Sequence, residues 1–143
     1  MVNKIKVFVY GTLKKDHPLH RLLERGKDVE YVGRNYIDEP LMLVDMGAFP
    51  ALVHDDYDIN TTYRVFGEVY MVDPETLASL DYAEGYPKLY KREKLEMRDC
   101  PKPFKAWTYI LSDDASVYAE DWIESGVWNP TDAEKAYVNK ISG

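Results

Sequence analysis

A run of apolar residues near the start of the chain constrains the fold more than any other stretch. Residues 5–10 read Ile-Lys-Val-Phe-Val-Tyr, and such β-branched and aromatic side chains favour a β-strand. Val7, Phe8 and Val9 are consecutive, and a strand without polar alternation is typical of one buried on both faces. We therefore predict a central strand here.

The next three residues, Gly11, Thr12 and Leu13, predict a sharp turn, because glycine can adopt backbone angles that other residues avoid. Backbone N–H groups that follow a buried strand have no ladder partner. A concave row of such groups binds a carboxylate or a developing oxyanion. A single Gly-Thr pair also fits a turn with no binding role, and the spacing alone favours that simpler interpretation.

Length and charge narrow the classes of protein to consider. The 143 residues suffice for one domain with a hydrophobic core, so we expect residues 1–143 to form a single domain on which a tail or helix at 112–143 packs. The net charge of −7 opposes contact with a phosphate backbone, so nucleic acid is not an expected partner. No apolar run approaches the roughly 20 residues of a membrane helix, so no membrane partner is expected either.

Cysteine content and the N-terminal sequence bear on the compartment. Cys100 is the single cysteine, so an internal disulfide is impossible, and no hydrophobic signal segment precedes the first strand. These features predict a cytoplasmic enzyme or binding protein, which we expect to be a monomer or a weak homodimer.

Hydrophobic periodicity and turn residues predict the remaining elements, with Gly33 as a candidate bulge. Many strands with few helices indicate an α+β fold, a small mixed β-barrel with helices packed on it. The predicted elements are helices at 18–25, 73–84 and 131–141, strands at 29–37, 41–45, 51–54, 64–72, 89–98 and 104–111, and a surface loop at 55–62.

Two carboxylates, Asp81 and Glu84, occupy an unfavourable place. They lie three residues apart in the last turn of the predicted helix, on one face, where the helix dipole is itself negative. The like charge, the dipole and any burial would each raise the pKa of a carboxyl group there, as a proton carrier near neutral pH requires. Two solvated acids in an acidic protein are the simpler alternative.

Other reactive side chains carry weaker signals. His17 and His20 have no acidic residue at zinc-site spacing, so surface or capping roles are favoured over a metal site. Cys100 has no evident activating partner and is interpreted as passive. Lys14 and Arg92 could each pair with a substrate carboxylate, and a solvated surface role is an equal alternative for both.

Three segments in this order resemble the γ-glutamylcyclotransferase-like superfamily, and most closely its short γ-glutamylamine cyclotransferase and avirulence-induced-protein-like branch. They are Tyr-Gly-Thr-Leu-Lys at 10–14, Gly-Ala-Phe-Pro-Ala-Leu-Val at 47–53 and Leu-Asp…Glu-Gly at 80–85. The later Tyr90-Lys91-Arg92 is similar to the family's Tyr-x-Arg, and the resemblance extends from about residue 4 to residue 109. The family's usual aromatic residue before Glu-Gly is here Ala83, with Tyr82 one position earlier.

This resemblance implies a six-stranded mixed barrel with flanking helices, no metal and no cofactor. It implies that a small-molecule γ-glutamyl amide is converted to 5-oxoproline and a free amine, with Glu84 as the general acid/base. Tyr109 could line the cavity as well, although packing is favoured for it. A non-catalytic small-molecule-binding or interaction module on the same barrel is the alternative. The residues implied to bind the substrate are Tyr10, Gly11, Thr12, Leu13 and Tyr90.

Overall fold

A computed structural model of the chain describes residues 4–15, 17, 19–26, 28–47, 49–54, 60–111 and 121–142. None of the helices in these residues is long and apolar enough to span a membrane. The elements in chain order are β1 (Ile5–Val9), α1 (Arg21–Glu24), β2 (Glu30–Glu39), β3 (Leu41–Asp45), β4 (Pro50–His54), β5 (Tyr63–Val72), α2 (Pro74–Glu84), β6 (Tyr90–Met97), β7 (Phe104–Leu111) and α3 (Asp132–Ser142).

The strand β1 lies in the middle of a five-stranded mixed sheet with the order β2-β5-β1-β7-β6. It pairs antiparallel with β5 and parallel with β7. Val7 and Val9 pack into one hydrophobic cluster, and Phe8 packs into a second cluster on the opposite face. All three side chains are almost fully buried, which confirms the predicted central strand.

The α+β class is confirmed, whereas the predicted closed barrel of six strands is not found in the described residues. Seven strands form two sheets, because β3 and β4 pair with each other and with no other strand of the described residues, and their side chains contribute to both clusters. The edge strands β2 and β6 share no ladder, although they approach at one end. There the Arg98 N–H donates to the Tyr36 carbonyl at 3.0 Å and the Asp99 N–H donates to Asn35 Oδ1 at 2.8 Å.

Glycine occurs at positions 33 and 11 for different structural reasons. Gly33 has a φ of +149° at a register shift between β2 and β5, which confirms the predicted bulge. Gly11 does not have a positive φ, so the expectation that it is needed for unusual backbone angles is wrong. A Cβ at Gly11 would lie 2.7 Å from Cγ of Pro50, so glycine is needed because the turn and β4 approach closely.

Helix α2 forms as predicted from its end signals. Asp73 is at the N-cap position and Pro74 begins the helix, while Gly85 ends it with a φ of +67°. Helix α1 is shorter than the predicted 18–25, and Pro18 lies outside the described residues. A surface loop was predicted at 55–62. Residues 55–59 lie outside the described part of the chain, and residues 60–62 are neither helix nor strand.

The C-terminal segment, residues 121–142, lies against the strands. The Ile123 N–H donates to the Leu43 carbonyl at 2.8 Å, and the Phe66 N–H donates to the Gly126 carbonyl at 2.9 Å. Trp128 is buried, and α3 follows it. These contacts join residues 121–142 to the strands, while 112–120 and 143 lie outside the described part of the chain.

Candidate active site

A cavity of about 320 Å³ opens where the end of β1, the start of β4 and the end of α2 meet. Glu84 is the one carboxylate among its described lining residues, which are otherwise aromatic, aliphatic or small. Both segments expected to form a site, the turn after β1 and the end of α2, therefore border the same space. The cavity is lined by Phe8, Val9, Tyr10, Gly11, Thr12, Leu13, Leu19, Phe49, Pro50, Ala83, Glu84, Leu89, Tyr90 and Tyr109.

Glu84 is the last residue of α2 and is partly buried. Within the described residues, no hydrogen bond or ion pair holds its carboxylate. Burial raises the pKa of Glu84 to about 7. A carboxyl group with this pKa exchanges a proton readily at neutral pH, as general acid–base chemistry requires.

Asp81 does not cause this shift, contrary to the expectation that the two acids would raise each other's pKa. Its carboxylate accepts two hydrogen bonds from the guanidinium of Arg92, at 2.9 and 3.1 Å. It also accepts a hydrogen bond from the Tyr109 hydroxyl at 2.6 Å. Asp81 is thus paired with the charge of Arg92 on β6 and hydrogen-bonded to Tyr109 on β7, and these contacts tie the end of α2 to the sheet next to the cavity.

Tyr10 and Tyr90 line the cavity with hydroxyl groups that are already engaged. The Tyr10 hydroxyl donates to the Tyr109 carbonyl at 2.6 Å and accepts from the Leu52 N–H at 3.3 Å. The Tyr90 hydroxyl donates to the Pro50 carbonyl at 3.2 Å. Burial, with the Glu84 charge as a further cause, raises the pKa of both phenols, so they stay protonated at neutral pH.

The turn formed by Gly11, Thr12 and Leu13 borders the same cavity as Glu84 and Ala83. It is closed by a hydrogen bond from the Lys14 N–H to the Gly11 carbonyl at 3.1 Å. In the described part of the chain, none of the backbone hydrogen bonds found in turns and loops begins at an N–H of these three residues. These N–H groups are therefore candidates to hold an anionic group of a ligand.

Lys14 and Arg92 have neither of the roles considered for them. Lys14 is fully buried and paired with Glu134, and Arg92 is held by Asp81 between the rings of Tyr86 and Trp107. Both cations are therefore occupied by partners within the chain, and neither lines the cavity. Sequence reasoning missed the pairing of Lys14 because Glu134 is 120 residues away. It missed the pairing of Arg92 because Asp81 was considered only with its neighbours in the same helix.

The remaining candidates lie outside the cavity lining. The Nδ1 of His20 lies 2.9 Å from the Leu13 carbonyl oxygen, and Nε2 of His17 lies 3.6 Å from Glu134. The thiol of Cys100 donates to the Met97 carbonyl at 3.3 Å. Among the described residues, no three metal-ligating side chains come together.

The rim of the cavity differs from the family's usual pattern. Ala83 lines the cavity, whereas Tyr82 is 90% exposed and does not replace the missing aromatic ring. Phe49, Pro50 and Leu89 supply apolar surface instead. Of these, Phe49 and Pro50 belong to the segment 47–53 that carried the resemblance, but Leu89 had no sequence signal of its own.

Comparison with known proteins shows the family of the chain. A sequence profile of the family described as γ-glutamyl cyclotransferase, AIG2-like, matches residues 7–130. The chain belongs to this family. The match continues well beyond residue 109, where the resemblance visible in the motifs ended.

Individual relatives support the assignment. The chain is 35% identical over 123 residues to the γ-glutamylaminecyclotransferase of Bos taurus, covering 82% of this chain and 69% of that protein. It is also 35% identical to a Vibrio cholerae protein provisionally named as a γ-glutamylcyclotransferase, covering 85% of this chain and 93% of that protein. A crystal structure of an AIG2-like protein from Mus musculus shares the fold, with a TM-score of 0.68 at 24% identity over 91% of this chain and 98% of that one.

Proposed function

We propose that this chain is a γ-glutamyl cyclotransferase, which releases 5-oxoproline and a free amine from a γ-glutamyl amide. One observation carries the proposal: Glu84, which has no hydrogen-bond or ion-pair partner among the described residues and whose pKa burial raises to about 7, lines the same cavity as Gly11, Thr12 and Leu13 of the turn after β1. Family membership and the bovine relative's name support the reaction class.

The reaction begins with proton removal. The α-amine of a γ-glutamyl group is protonated at neutral pH and has no lone pair with which to attack. Glu84 in its ionised form takes one proton from this ammonium group, and its raised pKa brings it closer to the pKa of the amine than an exposed carboxylate would be.

The freed amine then attacks the γ-carbonyl carbon of the same molecule. A new N–C bond closes a five-membered ring, and because the attack is intramolecular the protein need only hold the bent conformer. The carbonyl oxygen gains negative charge, for which the N–H groups of Gly11, Thr12 and Leu13 are suited. They could alternatively hold the substrate's α-carboxylate.

Collapse of this intermediate breaks the original amide bond. Glu84 gives its proton to the nitrogen of the departing amine as the amide bond breaks. The ring nitrogen still carries two hydrogens after the attack, and it gives one of them to the ionised Glu84, which leaves neutral 5-oxoproline. Glu84 then passes this proton to the amine product or to water. Tyr10 and Tyr90 shape the cavity wall and exclude water, and we propose that both contact the substrate. Each step is carried out by residues of this chain.

The proposal is tested by measuring 5-oxoproline after incubation of the protein with γ-glutamyl-ε-lysine, γ-glutamyl amino acids and simple γ-glutamyl amides. We expect turnover by the wild type and a loss of about 10²- to 10⁴-fold in kcat for Glu84→Gln, the usual contribution of a general acid–base residue. Glu75→Gln is the matched control, because Glu75 lies in the same helix, is exposed and is remote from the cavity lining. Full activity of Glu84→Gln would refute the mechanism.

The same variants separate an enzyme from a non-catalytic binding module on this fold. A binding module would be stabilised by γ-glutamyl compounds, would release no 5-oxoproline and would be indifferent to Glu84→Gln. The unpaired and buried carboxylate favours the enzyme, because a pure binding site has no use for an ionisable group that destabilises the fold when charged.

A further inference from the structure

Lys14 directly follows the turn formed by Gly11, Thr12 and Leu13, and its side chain is fully buried. Its ammonium group donates to Glu134 Oε2 at 2.5 Å and to the Trp128 carbonyl at 2.8 Å. A buried charge is tolerated only when it is paired and hydrogen-bonded. These partners belong to the C-terminal segment, so this segment holds the residue next to the turn.

Glu134 also caps the helix in which it lies, α3. Its Oε1 accepts from the Thr131 N–H at 3.0 Å, and the Thr131 hydroxyl accepts from the Glu134 N–H at 3.2 Å. This reciprocal pair is a capping box. One carboxylate therefore caps α3 with one oxygen and holds Lys14 with the other.

A second contact fixes the chain immediately after Lys14. The Lys15 N–H donates to Glu68 Oε1 at 2.7 Å, and the Tyr70 hydroxyl donates to the same oxygen at 3.1 Å. Both residues that follow the turn are thus bound to parts of the fold that are distant in sequence. The turn itself contributes one internal hydrogen bond, from the Lys14 N–H to the Gly11 carbonyl.

We infer that Lys14 and Glu134 are positioning residues, whose ion pair fixes the N–H groups of Gly11, Thr12 and Leu13 relative to Glu84 across the cavity. The match to the family profile ends at residue 130, before Glu134 and α3. The kinetic part of this inference rests on the proposed cyclotransferase activity. Its structural part does not, since the position and order of the turn can be measured without turnover.

Placement matters because the turn is proposed to stabilise charge that develops during the reaction. A shift of about 1 Å in a positioning group costs about 100-fold in rate, and removal of one oxyanion donor costs about 10²- to 10³-fold. Loosening the turn should therefore lower kcat. Glu84 is not moved by this change, so the pH at which the activity is half-maximal should stay near its pKa of about 7.

The test uses Glu134→Gln and the double variant Lys14→Met/Glu134→Gln. Glutamine still completes a capping box, so α3 remains capped while the charge is lost. The double variant removes both charges of the pair, so neither member is left as an unpaired buried charge, and such replacements of buried ion pairs are often close to neutral for stability. Asp132→Asn and Lys135→Met are matched controls, because both residues are exposed on the same turn of α3.

Two measurements are made on each variant. The kinetics of 5-oxoproline release give kcat, KM and the pH profile, and ¹⁵N relaxation gives order parameters for the amides of the turn. In the double variant we expect kcat to fall about 10- to 100-fold with an unchanged pH profile, and the order parameters to drop from about 0.85 towards about 0.6. Both controls should match the wild type.

A double variant with wild-type kcat and wild-type order parameters would overturn the inference, even if its thermal midpoint were lower, because the pair would then be structural only. If the wild type itself releases no 5-oxoproline, the proposed function fails. In that case the order parameters alone decide: a drop confined to the ion-pair variants supports the positioning role, and unchanged values contradict it.

Discussion

Glu84 is a partly buried and Glu134 a buried carboxylate, and both lie at helix ends, yet they differ in the helix end they occupy and in their hydrogen-bond partners. Glu134 lies in the first turn of α3, where the dipole favours it, and accepts hydrogen bonds from Lys14 and Thr131. Burial alone would raise the pKa of Glu134, but these partners outweigh it and hold the pKa below the ordinary value. Glu84 lies at the opposite kind of helix end without such partners, and burial raises its pKa to about 7.

The difference teaches that burial does not by itself make a carboxylate reactive. Partners convert a buried acid into a fixed negative charge that supports the structure, as at Glu134. Without partners, the same burial produces a group that binds and releases a proton at neutral pH. Substitutions that remove a partner or a charge should change this difference between paired and unpaired carboxylates, and the largest effect is expected at Lys14.

Removing the partner of Glu134 should make it resemble Glu84. In Lys14→Met, Glu134 remains buried without its cation, and we expect the free energy of unfolding at pH 7 to fall by about 3–5 kcal/mol. The loss should be smaller at pH 5, because the unpaired carboxyl group can then be protonated. Urea unfolding at the two pH values measures both losses, and equal losses would contradict the comparison.

Removing the charge of Glu84 should have the opposite effect on stability. A folded pKa of about 7 against an unfolded value of 4.5 means that the native state binds the extra proton between these pH values, so wild-type stability falls as the pH rises through this window. Glu84→Gln lacks this dependence and should gain up to about 3 kcal/mol relative to the wild type between pH 4.5 and pH 8. Thermal or urea unfolding across this range checks the sign; a variant that loses relative stability with rising pH would show that Glu84 is favourably paired.

Asp81 tests a partnered carboxylate in the same helical turn as Glu84. Asp81→Asn removes the charge that holds Arg92 and weakens the acceptor of the Tyr109 hydroxyl, so we expect a loss of about 2 kcal/mol. Because Asp81 is not a cause of the Glu84 shift, half-maximal activity should remain near pH 7. A large displacement of that pH would mean that the two carboxylates are coupled after all.

The smallest effect is expected at Gly11. A Cβ there would lie 2.7 Å from Cγ and 3.0 Å from Cδ of Pro50, so Gly11→Ala must separate the turn from β4. Overpacking of this kind costs at least about 1 kcal/mol. We expect urea unfolding to show this loss together with reduced 5-oxoproline release, and a variant with unchanged stability and activity would show that the contact is not needed.

Much of the framework was predictable because its signals are local. The uninterrupted run Val7-Phe8-Val9 identified the central strand, and Asp73, Pro74 and Gly85 identified both ends of α2. Closure of the sheet could not be inferred in the same way. It depends on whether β3 and β4 pair with each other or with the larger sheet, a choice made by tertiary packing rather than by strand propensity.

The site was predicted in part, and for a partly wrong reason. The helix-end rule singled out Glu84, but its raised pKa comes from burial, which a single sequence does not reveal. Lys14 was interpreted as exposed or substrate-binding because its partner Glu134 is 120 residues away. The helix at 131–141 was predicted, and the spacing of Thr131 and Glu134 is a capping-box signal for its start, but this spacing does not reveal that the same carboxylate holds the turn.

The pH dependence of kcat/KM for 5-oxoproline release between pH 5 and pH 8 tests the central claim most directly. If Glu84 carries the proton, kcat/KM rises about tenfold per pH unit at low pH, is half-maximal near pH 7 and levels off above it. A profile that is flat over this range, as a glutamate with the ordinary pKa of 4.5 would give, would contradict the account.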